Sequence, residues 1–229
     1  MSDVAERVKK IVVEHLGVVS PGHVTGIDRE ESQLVPAREN AARLGLTNVT
    51  FEQGSVYDLP YEDRQFDVVF CHAVMEHIHD PLVVIKEMYR VLKPGGLVGI
   101  RSPDMGAMLF APSDEVMDRA FDIGLKCRQH LGASPFIARR LRALMREAGF
   151  AKTIGSSSTE YSGTLEQTQA LIPIAVEAWA GPKITQTAIQ MGWADQALMD
   201  SIRKSITAWG NRPDAFFSAH WCEAVGWKE

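Results

Sequence analysis

Between Phe66 and Arg101 the sequence reads FDVVFCHAVMEHIHDPLVVIKEMYRVLKPGGLVGIR, and this stretch restricts the fold more than any other. Asp67 to Cys71 is a short, nearly unbroken apolar run, the pattern of a strand covered on both faces in a parallel sheet. It breaks into a polar segment, His72 to Asp80. Asp80 and Pro81 then offer a helix cap and a first-turn proline, and Ile85, Met88 and Leu92 recur at helical spacing. Lys93-Pro94-Gly95-Gly96 is expected to stop that helix, and Leu97 to Ile100 opens a second buried run. Strand, helix and strand in one sheet make a crossover that is nearly always right-handed and parallel. The chain is therefore expected to be α/β, with its chemistry at the carboxyl ends of strands.

The remaining pattern extends that plan in both directions. Ser2 to Val19 carries Val4, Val8, Ile11, Val12 and Leu16 at helical spacing, so residues 1–22 are expected to form an atypical N-terminal helix and turn. His23 to Ile27 predicts a strand ending at Asp28, Gln33 to Leu44 a helix ended by Gly45, and Val49 to Glu52 a further strand. Glu115 to Leu131 predicts a helix, and Ser134-Pro135 is expected to cap the next one, whose Arg139, Arg142 and Arg146 would form a solvated face. Lys152 to Tyr161 predicts a polar strand. Residues 164–210 read as helical, with breaks at Pro173, Gly181-Pro182 and Gly192 and a cap at Asp195, before a final antiparallel strand over Ala215 to Trp227. We read 1–229 as one domain with a helical cap inserted before its last strand.

Composition narrows the partners. At 229 residues and 45% hydrophobic the chain can bury a sizeable core. A net charge of -5 argues against a nonspecific nucleic-acid binder, which needs a clustered basic surface. Three scattered cysteines suit reduced thiols, and no stretch reads as a signal peptide or membrane span, so a cytoplasmic protein without membrane contact is expected.

The strand opened by Phe66-Asp67, the loop ending in His79-Asp80-Pro81 and the helix closing in VLKPGG resemble the second half of the class I S-adenosylmethionine-dependent methyltransferase domain. HVTGID at 23–28, NVTFEQG at 48–54 and LPYED at 59–63 extend the resemblance, in the family's order, from about His23 onward. It implies a Rossmann-like, doubly wound and mostly parallel sheet, S-adenosylmethionine as cofactor and a small molecule as acceptor. By resemblance, Asp28 accepts from the ribose hydroxyls, Gly54, Ser55 and Val56 border the adenine, and Cys71 with His72 lies beside the methionine moiety. Ser55 stands where the family usually carries Asp. His72 or His77 is the expected general base, being near neutral in pKa by type. Met105, Met108, Phe110 and Tyr161 are the expected substrate-side residues.

One element of the resemblance has no counterpart. The family's first strand runs into a GxGxG-type turn whose glycines admit the cofactor to backbone N–H groups; before His23 there are only Gly17 and Gly22, neither paired. The first strand is thus expected to be missing or rearranged, and the cofactor site incomplete. Three repairs are physically reasonable: its neighbours close on each other, the N-terminal segment fills the gap, or a second copy supplies an element by swapping, making a homodimer. A truncated product whose start carried the loop is a further account. The alternative function is a repurposed or non-catalytic relative that does not bind S-adenosylmethionine in the usual way. A metal site at His72, His77, His79 and Asp80 is not expected, because the run departs from known ligand spacings and Pro81 follows at once.

Overall fold

The computed structural model describes residues 22–229, so the expected helix over Ser2 to Val19 lies outside the described residues. Strand β1 (Val24–Asp28) leads into helix α1 (Glu31–Arg43) and then β2 (Val49–Gln53). The crossover follows as β3 (Phe66–His72), a 3-10 turn at Met75–His77, α2 (Pro81–Val91) and β4 (Leu92–Pro103). A second 3-10 turn at Met105–Ala107 precedes β5 (Leu109–Ala111), α3 (Glu115–His130), a third turn at Ile137–Arg140 and α4 (Leu141–Glu147). The chain closes with β6 (Lys152–Ser162), α5 (Leu165–Ala180), α6 (Pro182–Gln190), α7 (Gln196–Gly210) and β7 (Phe216–Trp227).

Pairing divides the strands into two groups. β1 and β2 form a parallel two-stranded sheet. β3 pairs parallel with β4, β4 antiparallel with β7, and β7 also takes β5 and β6 antiparallel. Within this second sheet β3, β4, β5 and β6 therefore run one way and β7 alone runs against them, which gives the α/β, doubly wound character expected. No ladder joins β1 to β3 among the described residues, so the first of the three repairs, direct closure of one on the other, does not occur there.

The main core lies between the second sheet and helices α2 and α4. Cys71, Val98, Ile100 and Ala224 from the strands meet Val84, Ile85 and Met88 of α2 and Leu141, Leu144 and Met145 of α4, with Phe150 closing one end. Asp80 does cap α2, accepting the Val83 N–H at 3.3 Å, with Pro81 in the first turn. A separate helical core joins α3, α5, α6 and α7 through Ile123, Trp179, Ala188, Met199 and Ile202. Asp195 caps α7 through the Leu198 N–H at 2.8 Å, and Thr164 with Gln167 forms a capping box at the start of α5. Met117, Trp209 and Ala215 connect this layer to the far end of the sheet, where Phe110 and Phe217 pack on them.

Three local expectations are corrected. The helix does end before Lys93–Gly96, but β4 starts at Leu92 rather than Leu97 and carries this turn as a bulge, the register stepping from Phe66↔Leu92 to Val68↔Leu97, with Gly95 at φ +80. Ser134-Pro135 caps no helix: its backbone serves the 3-10 turn before α4, the Ile137 N–H bonding the Ser134 carbonyl. Pro173 does not break α5, which runs through it, because a proline costs one helix bond and this helix is held by packing on α3 and α7. The three arginines of α4 and its preceding turn are exposed, as expected, and Arg139 in addition forks onto the buried Asp104.

Candidate functional site at the strand ends

Two groups of expected residues meet the carboxyl ends of strands. The first is at β1 and β2. Asp28 ends β1 half-buried, and its Oδ1 accepts the Glu30 N–H at 2.8 Å, bending the chain into α1. Its Oδ2 has no hydrogen-bond partner among the described residues. The Gly54 N–H bonds the Asp28 carbonyl at 3.0 Å, and a Cβ on Gly54 would lie 2.6 Å from Ile27 Cδ1, so a larger residue here would require the Ile27 side chain to shift. Ser55 uses its hydroxyl to accept the Tyr57 N–H at 3.2 Å, making residues 54–58 a compact turn with Val56 half-buried beside it.

The second group surrounds the end of β3. Cys71 is buried in the main core, and burial together with the charge of Glu76 pushes its thiol up to about 12, so it is an inert core residue whose side chain turns away from solvent. His72, one residue on, faces the other side of the sheet and stacks on Trp221, centroids 5.0 Å apart and planes 11° from parallel. Ala73 then takes φ 54, a left-handed conformation uncommon for a residue with a Cβ, while its N–H still bonds the Arg101 carbonyl. His77 is exposed, its Nε2 3.8 Å from Glu76 Oε1.

Three charged residues that pattern reading missed fix the geometry here. Glu76 is 3% exposed and accepts from the Ser102 hydroxyl at 2.6 Å, tying the loop after β3 to the end of β4. Asp104 is 4% exposed and is held by Arg139 and by the Gly106 N–H. Arg101, buried in β4, reaches Glu160 of β6 at 2.8 Å and Glu223 of β7 at 3.2 Å and lies 4.1 Å above the Trp221 ring. Burial alone would raise the Glu223 carboxyl; the Ser158, Ser156 and Arg101 bonds outweigh it and hold the group below its ordinary value. None of these shows in hydrophobic periodicity, because each depends on which strands become neighbours.

The expected substrate-side residues separate. Met105 is in the 3-10 turn directly after β4. Met108 packs against the helical layer, and Phe110 is inside an aromatic group with Phe121, Trp209 and Phe217 at centroid distances of 4.7–4.9 Å. Tyr161 is farther along the sheet, opposite Ser218, and 68% exposed. Among the described residues no group of three or more His, Cys, Asp or Glu is placed to hold a metal, and no helix is long and apolar enough to cross a membrane.

Comparison with known proteins agrees with this architecture. A family described as a methyltransferase domain matches residues 11–169. An uncharacterized methyltransferase of Schizosaccharomyces pombe is 30% identical over 158 residues, covering 66% of this chain and 56% of its own length. A demethylmenaquinone methyltransferase of Listeria monocytogenes is 43% identical over 75 residues, 33% of this chain and 32% of the relative. The chain thus spans little more than half of the first relative and a third of the second. Among solved structures, phosphoethanolamine N-methyltransferase 2 of Haemonchus contortus, in complex with S-adenosylhomocysteine, superposes with a TM-score of 0.56 at 16% identity, covering 99% of this chain and 54% of that one. The strand order, the β3–α2–β4 crossover and a family match over most of the sequence together place this chain in the class I S-adenosylmethionine-dependent methyltransferase family.

Proposed function

We propose that the chain is an S-adenosylmethionine-dependent methyltransferase acting on a small molecule, with an active site at the carboxyl ends of β1 and β3. The observation that carries the reading is the pairing of Asp28, whose second carboxylate oxygen has no partner among the described residues, with the 54–56 turn that Gly54 ties to it. These residues fit an adenosine: Asp28 would accept from the ribose hydroxyls, and Ser55 and Val56 would border the base. Backbone at His72 and Ala73 would flank the methionine portion, while the Cys71 side chain remains in the core. The described residues contribute no glycine-rich turn to that portion, so they form the adenosine side more fully than the methionine side.

When bound, the sulfonium cofactor supplies an activated methyl group. The chain's own part is to align the acceptor and exclude water. His72, fixed by stacking on Trp221, would take the acceptor's proton, with His77 as the exposed second candidate. Met105 borders the same strand end, and Met108, Phe110 and Tyr161 would reach only a substrate extending toward the helical layer.

A cytoplasmic location is supported by three free cysteines, and a homodimer by the edges of β1 and β3, which no described strand covers. Sedimentation at several protein concentrations tests the dimer: a single monomeric species throughout removes it. Calorimetry with S-adenosylhomocysteine tests the main reading. Micromolar binding that weakens at least tenfold in Asp28→Ala supports it, and no binding at millimolar ligand leaves the repurposed alternative.

A further inference from the structure

The two halves of the proposed cofactor site belong to different sheets, and no backbone ladder joins those sheets among the described residues. A pair of side chains links them instead. The Tyr57 hydroxyl is 2.6 Å from His79 Nδ1 and also accepts the His79 backbone N–H at 3.1 Å; the two rings lie 4.6 Å apart. Tyr57 directly follows the 55–56 segment, and its own N–H bonds the Ser55 hydroxyl. His79 ends the loop that begins at Ala73, one residue before the Asp80 cap of α2.

We infer that Tyr57 and His79 form a clasp that sets the adenosine end of the cofactor site by holding the 54–58 turn against the loop after β3. This deepens the proposed function and rests on it. The physical case is that the 54–58 turn has one firm attachment at each end and needs a third. Upstream it is tied to β1 by Gly54. Downstream, Leu59 and Tyr61 are tied to α2: Glu87 accepts the Leu59 N–H at 3.0 Å, and Arg90 donates to the Leu59 and Tyr61 carbonyls at 2.9 and 2.8 Å. Between these anchors the side chain of Tyr57 supplies the only described hydrogen bonds from the turn to the β3 loop, two of them converging on one oxygen. A hydroxyl that both meets a ring nitrogen and accepts a backbone N–H fixes position and direction together. Tyr57 and His79 are thus positioning residues for cofactor binding.

The test uses the full chain and Tyr57→Phe, which keeps the ring and removes both hydrogen bonds. Deuterium uptake without ligand and calorimetry with S-adenosylhomocysteine are read together. The clasp requires faster exchange over residues 54–59 in the variant, with β4 and β7 unchanged, and a dissociation constant raised about tenfold, in the range of single coupling effects. His79→Ala should raise it less, because the backbone N–H remains, and the double variant should match Tyr57→Phe alone. Unchanged exchange over 54–59 overturns the clasp, as does an unchanged dissociation constant in a variant of a wild type that binds. A wild type that fails to bind removes the cofactor reading itself, and with it the clasp's role, which separates the two failures.

Discussion

The two sheets of this protein are stabilised very differently. β1 and β2 are five-residue strands with no fully buried position, and their helix α1 buries only Leu34 and Ala41. β4 is twelve residues long and buried on both faces over its last six, and it adjoins α2 and α4, whose apolar faces are almost wholly covered. The difference follows from neighbours. A strand flanked on both sides by strands and on a face by helices loses nearly all of its apolar surface from water, at roughly 25 cal/mol per Å2, whereas a strand with one partner keeps an open edge. Binding function is proposed for both sheets, but among the described residues only one has a core to hold its residues still.

Substitutions can break or sharpen this contrast. Phe150→Ala, in the large core against Tyr89 and Gly226, should cost about 3–5 kcal/mol in urea unfolding. Arg101→Met should cost about 3 kcal/mol by leaving Glu160 and Glu223 without their cation, and Glu223→Gln should return part of it. Acid should act next. Hydrogen bonds from Arg90 hold Glu87 below its ordinary value, and Glu223 is also held low, so their stabilisation is present above about pH 4.5 and lost as pH falls below that through their folded pKa values. Thermal melts from pH 7 to pH 3 should fall on that limb. Leu34→Ala should have the smallest global effect, under about 1 kcal/mol, with faster amide exchange confined to β1, α1 and β2. A Leu34 effect as large as that of Phe150, on the same transition, would show the two sheets to be one cooperative unit.

Sequence reading succeeded where information is local. Asp80, Pro81, Gly45 and Asp195 act at helix ends as their chemistry dictates, and the apolar runs of β3 and β4 mark the centre of the sheet. It failed where partners are distant. Arg139 is exposed as read, but its partner, the buried Asp104, went unseen because it is 35 residues away in sequence. Pro173 looked like a break because helix propensity ignores packing. Glu76 was part of a polar loop until Ser102 became its neighbour. In the candidate site, Asp28 and the 54–56 turn were legible from motif order, whereas Tyr57 with His79, and the strained Ala73, required the fold.

The lone reversed strand has a consequence for biosynthesis. β7 is the partner of β4, β5 and β6, and its Glu223 meets an arginine 122 residues earlier. As the chain emerges, β3, α2 and β4 can assemble early, and α5, α6 and α7 can pack through contacts close in sequence, but the sheet stays open until residues 216–227 arrive. Closing contacts of such long range are slow, and an open apolar sheet edge invites association meanwhile. A nascent chain paused before residue 216 should therefore be the form most dependent on chaperones, and pulse-chase capture of staged ribosome-bound lengths would locate that window.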